Sequence, residues 1–167
     1  VNTATLVGSL IFALVLALLI GFVIAQMMRG WRRRTERQEA LIGTLPAVPD
    51  TVGMPTVAPT RGVYVGCSLA PGWNDRVVVG DLGYRGKAVL TRYPEGILVQ
   101  RSGGRPIWIP QDAIIGIRTE RGMVGKVGAR NGILAIRWRL PSGTEIDTGF
   151  RGYDRSEYAR WLTEEQR

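Results

Sequence analysis

The run from Leu6 to Ala25, LVGSLIFALVLALLIGFVIA, constrains this chain most. Its twenty residues carry no charge and one hydroxyl, Ser9. At about 1.5 Å of rise per residue a helix of that length spans roughly 30 Å, the thickness of a bilayer's hydrocarbon core. A buried helix of a soluble domain normally keeps a polar stripe, and this run has none. A cleaved signal peptide carries basic residues before a shorter apolar run. Here the leader VNTAT has no basic side chain and the arginines follow the run. The expectation is an uncleaved membrane anchor.

The flank gives the expected direction. Arg29 to Glu39 holds five arginines against two glutamates. Arg29, Arg32, Arg33, Arg34 and Arg37 fall in the window where basic residues stay cytoplasmic. The reading is therefore a single-pass plasma-membrane protein, its N-terminus outside and its C-terminal body in the cytoplasm. Ser9, Ala13, Ala17, Gly21 and Ala25 recur every four residues, a ridge suited to contact with another helix. No ionisable side chain lies in the run, so a proton or ion pathway lacks its usual parts.

Four segments are expected: an anchor at 1–28, a basic juxtamembrane helix at 29–42, a Pro-rich linker at 43–60 and a cytoplasmic domain at 61–167. The linker, with prolines at 46, 49, 55 and 59, reads as an extended spacer.

Composition narrows the chemistry. Histidine is absent and cysteine occurs once, at Cys67. The commonest general base, the commonest zinc ligand and any intrachain disulfide are thereby missing. Cys67 reads as a packing residue. The segment from Thr60 onward holds 17 basic and 11 acidic residues. A basic body beside a bilayer suits anionic headgroups, and the anchor favours lipid over nucleic acid.

The body reads as short strands between turns: 62–70, 76–82, 86–92, 96–101, 105–110, 113–120, 133–140 and 144–150. Leu134, Ile136 and Trp138 alternate onto one face. Ile146, Thr148 and Phe150 oppose Glu145 and Asp147, which read as a solvated charged face. Asp154 to Glu157 resembles a capping box, and Tyr158, Trp161 and Leu162 then mark one helical face. The expected fold is about seven antiparallel strands in a curled sheet or barrel, closed by a C-terminal helix. Trp108, Trp138, Phe150, Tyr158 and Trp161 are its expected core aromatics.

With its span, GKAVLTRYPEGILVQR, IWIPQDAIIGIRTERGMVGKV, ILAIRWRL and TEIDTGFRGYDRSEYARWL, the chain resembles actinobacterial membrane-anchored proteins with a pleckstrin-homology-like domain. These are often described only as export or membrane proteins. The resemblance implies a PH-like fold and brings no catalytic residues. PH-like folds serve lipid binding, peptide binding and scaffolding, so fold leaves function open. In phosphoinositide-binding PH domains basic residues on an early strand–loop–strand grip phosphates, whereas the early hairpins here carry Arg85, Lys87 and Arg92.

Arg118, Arg121, Lys126 and Arg130, among the glycines of 118–130, form the candidate anion or lipid contact, with Arg29 and Arg32 to Arg34 as a second. The glycines match neither GxxxxGK[ST] nor GxGxxG. No cofactor, catalytic residue or metal site is expected. The expected function is a non-enzymatic membrane adaptor or scaffold. Its domain engages a protein partner in or at the membrane, or anionic inner-leaflet lipid. An accessory subunit of an exporter or other membrane complex is the alternative, and a membrane-associated enzyme is disfavoured. Neither partner identity nor oligomeric state is specified.

Overall fold

The computed structural model describes residues 2–123, 126–127 and 132–163, apart from the side chains at 126, 127 and 163. Two compact units divide between Arg37 and Gln38. The first consists of helix α1, Thr3–Ile42, up to Arg37. It is long and apolar enough to cross a membrane. Its apolar side chains from Leu6 to Ile24 are exposed, and the Ser9 hydroxyl bonds back to the Thr5 carbonyl at 2.9 Å.

The second unit opens with the last turn of α1. Gly43, at φ +61°, stops the helix; its N–H donates to the Glu39 carbonyl at 3.0 Å. A left-handed glycine is the commonest helix terminator. Ile42 is buried in the core of this unit. The Gln38 side chain donates to the Arg76 carbonyl and accepts from the Val78 N–H, both at 2.9 Å. The Leu41 carbonyl accepts from Ser142 and Thr144 hydroxyls at 2.6 and 2.7 Å. The turn is thus fixed to two loops of the domain.

Among the described residues nine strands follow: β1 Val57–Leu69, β2 Gly86–Tyr93, β3 Gly96–Arg101, β4 Ile107–Pro110, β5 Ile114–Glu120, β6 Gly122–Met123, β7 Lys126–Val127, β8 Ile133–Arg139 and β9 Glu145–Gly152. Seven form one antiparallel sheet in the order β4-β3-β2-β1-β9-β8-β5; β6 and β7 form a separate hairpin. β1 organises the sheet. Its first part pairs with β2 and its second part with β9, with a register shift between Tyr64 and Gly66. A bulge there lets one strand turn a corner and curl the sheet. Gly62 lies where β1 meets both neighbours, and a Cβ there would collide with the Arg151 carbonyl and the Phe150 ring.

Inside the curl lie Tyr64, Leu90, Ile97, Leu134, Ile136, Trp138 and Phe150. Trp161 joins them from α2, Tyr158–Thr163. It is fully buried and its indole N–H donates to the Thr60 hydroxyl at 3.0 Å. The five expected core aromatics are all buried. A smaller cluster on the opposite face, Val65, Met123, Ile133 and Ala135, packs around the β6 end.

Three local expectations change. The stretch 76–82 forms no strand, only an isolated bridge between Ser68 and Arg76. Its Val78 N–H is taken by Gln38, and Gly80 turns the chain at φ +58°. β1 begins at Val57, earlier than the expected strand, with Pro59 inside a register shift, where a missing N–H costs no ladder bond. Asp154 caps through the Ser156 N–H at 2.9 Å, but a 3-10 turn, Arg155–Glu157, precedes α2.

Residues 43–56 have no regular structure, yet they touch the domain. Leu45 packs on the core, the Glu95 carboxylate accepts from the Gly53 N–H at 3.0 Å, and the Thr56 N–H donates to the Arg92 carbonyl at 2.8 Å.

Candidate interaction surface

Arg118, first among the body's expected anion contacts, is already committed. Its guanidinium meets the Asp147 carboxylate at 2.8 and 3.2 Å and Glu120 at 2.6 Å. Arg137 grips the same Asp147 with two bonds of 2.8 and 2.9 Å. Asp147 is buried, with a side chain 3 % exposed, which corrects its reading as a solvated strand charge. The cause is that both faces of β9 are covered across Ile146 to Phe150. Arg121 is exposed beside Trp73, in a cleft of about 380 Å³ that also reaches Arg118 and Arg137. The Lys126 side chain and Arg130 lie outside the described residues. Arg29, Arg32, Arg33 and Arg34 are exposed on α1, as are Ser9, Ala13, Ala17, Gly21 and Ala25.

Burial alone would raise the Asp147 carboxyl, but the hydrogen bonds and charges of Arg137 and Arg118 hold it below the usual range. A carboxyl depressed on folding stabilises above its unfolded pKa, about 3.9, and stops doing so as pH falls through its folded value. Urea unfolding followed from neutral pH to pH below 3 should therefore show stability falling in that acid window. Asp147→Asn should flatten the slope and cost about 2 kcal/mol at neutral pH, within the range for hydrogen bonds to charged groups.

At the end of the curled sheet formed by the β1–β2 and β3–β4 connections, the Arg101 guanidinium is likewise engaged within the domain. Arg101 has a fully buried side chain, 3.1 Å from the Asp81 carboxylate. It donates to the Asp81 and Arg105 carbonyls and sits 4.8 Å over the Tyr64 ring. A cleft of about 450 Å³ at this end is walled on one side by 42–48 of the same chain. Deeper in, the Tyr64 hydroxyl donates to the Leu82 carbonyl at 2.7 Å. Cys67 touches Tyr64 and Thr148, and Thr148 accepts from Trp138 at 2.8 Å. Burial pushes the Cys67 thiol up, which suits a packing residue rather than a nucleophile. Among the described residues no three His, Cys, Asp or Glu side chains form a group that could hold a metal ion.

Sequence reasoning missed a different basic surface. Arg61 of β1, Lys87 of β2 and Arg151 of β9 are exposed on neighbouring strands. Their signal was present, since each alternates with a buried residue, but their adjacency depends on the pairing of three separated strands.

A curled antiparallel sheet, cornered by its first strand and plugged by a C-terminal helix, is the PH-like arrangement. Residues 42–166 match the family described as Bacterial PH domain-like. The chain belongs to this family. The match opens at Ile42, the residue that the end of α1 contributes to the core. No curated protein and no solved structure matches the chain. The PH-like domain thus begins, in packing as in family extent, with the end of α1.

Proposed function

We propose that this chain is a non-enzymatic membrane-anchored adaptor, its PH-like domain held at the bilayer to engage a membrane-associated protein or anionic lipid. One observation carries the reading: a helix of membrane-spanning length and a PH-like domain stand in one chain. Tethering makes a weak second contact effectively intramolecular. The buried polar groups support a structural rather than catalytic economy. Arg101 with Asp81, Asp147 with its two arginines, and Thr148 with Trp138 and Cys67 are engaged with one another. The trailing arginines of α1 favour the N-terminus outside and the domain in the cytoplasm. The ridge from Ser9 to Ala25 offers a contact for a second helix in the bilayer.

Photo-crosslinking of the full chain in intact membranes, read by mass spectrometry, tests the adaptor reading. Adducts to a membrane-associated protein or to anionic lipid are expected. Self-contacts alone would contradict it.

A further inference from the structure

We propose that the outer face of β1, β2 and β9 is a docking surface for an anionic lipid bilayer, engaged through Arg61, Lys87 and Arg151. The inference rests on the adaptor reading and adds the place of contact. Strand alternation directs Tyr64, Leu90 and Phe150 into the core, and Arg61, Lys87 and Arg151 to the exposed side. Register makes them neighbours. Val63 pairs with Lys87 on one flank and Arg151 on the other. Arg61 pairs with Val89, and its carbonyl accepts from the Tyr153 N–H at 3.0 Å. With strands about 4.8 Å apart, Lys87 and Arg151 stand on backbones roughly 10 Å apart.

Three cations without a carboxylate partner among the described residues are gathered on this one face. Elsewhere on the domain Arg101 and Arg105 face Asp81, Arg118 and Arg137 face Asp147, Arg139 faces Glu145, and Arg160 approaches Glu157. Among the described residues no carboxylate pairs with Arg61, Lys87 or Arg151. Among the described residues no carboxylate lines the shallow depression of about 470 Å³ between Arg61, Lys87, Gln100 and Tyr153. Tyr153 is 64 % exposed, and such an amphipathic ring suits the headgroup region. Cations spread across three strands match a plane of many negative charges better than one small anion. Three such side chains near an anionic leaflet together strengthen association roughly 100-fold.

The test uses the full chain in liposomes. Ser102→Cys supplies an exposed attachment point at the depression, and the native Cys67 is buried. A fluorophore there is read against a nitroxide carried on lipid headgroups. Several-fold stronger quenching is expected in phosphatidylcholine–phosphatidylglycerol than in phosphatidylcholine alone, reversed by high salt. The combined Arg61→Glu, Lys87→Glu and Arg151→Glu variant should lose it, and the milder set of three Gln substitutions should weaken it with the thermal midpoint unchanged. Equal quenching in both lipids overturns the proposal, as does quenching indifferent to both variant sets. Shielding of the label in native membranes without any lipid quenching would give this face to a protein and overturn it too. A chain that fails to float with liposomes would sink the anchoring reading and this proposal together, whereas floating without anion-dependent quenching defeats the proposal alone.

Discussion

A fragment starting at Gly43 is expected to unfold at least about 20 °C below one starting at Thr35, although both contain every strand and α2. The longer fragment keeps Ile42, 2 % exposed within the core, and both hydrogen bonds between Gln38 and the 76–78 loop. It also keeps the Leu41 carbonyl, on which the Ser142 and Thr144 hydroxyls close. Truncating a buried isoleucine to alanine usually costs about 2–5 kcal/mol, and each lost hydrogen bond adds about 1 kcal/mol. For a domain of this size one kcal/mol shifts the midpoint by about 3–5 °C, between the small- and large-domain values. Thermal unfolding by circular dichroism reads the difference. Within the longer fragment, Ile42→Ala alone should reproduce roughly half of it. Equal midpoints for the two fragments would show that the end of α1 rests on the domain without stabilising it.

Trp161→Ala should also be strongly destabilising, by about 3–5 kcal/mol. The indole fills the space between α2 and β1, and its N–H is the donor to Thr60. The six-residue α2 is too short to persist alone, so losing the ring should detach it from the sheet. Tyr158, whose hydroxyl accepts from Gly152 and donates to the Gly132 carbonyl, would lose its setting as well. Hydrogen exchange should then show faster exchange at β1 near Thr60 as well as in α2. Trp161→Phe keeps most of the packing and should cost only about 1 kcal/mol more than the volume change requires, for the lost hydrogen bond. Faster exchange restricted to α2 would mean that the helix does not support β1.

The sheet was largely legible because its strands carry period-two patterns between Gly and Pro turns. The β2–β3 hairpin around Pro94-Glu95 follows local chemistry directly, and so does Leu134-Ile136-Trp138 as an inward row. Legibility stopped where long-range pairing decides the outcome. Arg76 to Leu82 has the apolar content of a strand, but a glutamine from the end of α1 takes the backbone bond that a neighbouring strand would need. Asp147 alternates as a surface residue should, yet β8 and β5 bring two arginines over it. For the same reason Arg118 looks available in the sequence and is occupied in the fold. Arg61, Lys87 and Arg151 are separated in sequence and adjacent only through β1's double pairing.

In the proposed arrangement α1 spans the bilayer and presents the PH-like domain to the cytoplasm. Membrane-impermeant thiol labelling tests it most directly, because the native Cys67 is buried and silent. Two single-cysteine reporters are needed, Asn2→Cys before the apolar run and Ser102→Cys in the domain. In intact cells labelling of Asn2→Cys is expected, with protection of Ser102→Cys until the membrane is permeabilised and retention of the protein through alkaline extraction. Labelling of Ser102→Cys from outside, or release of the chain by alkali, would contradict it.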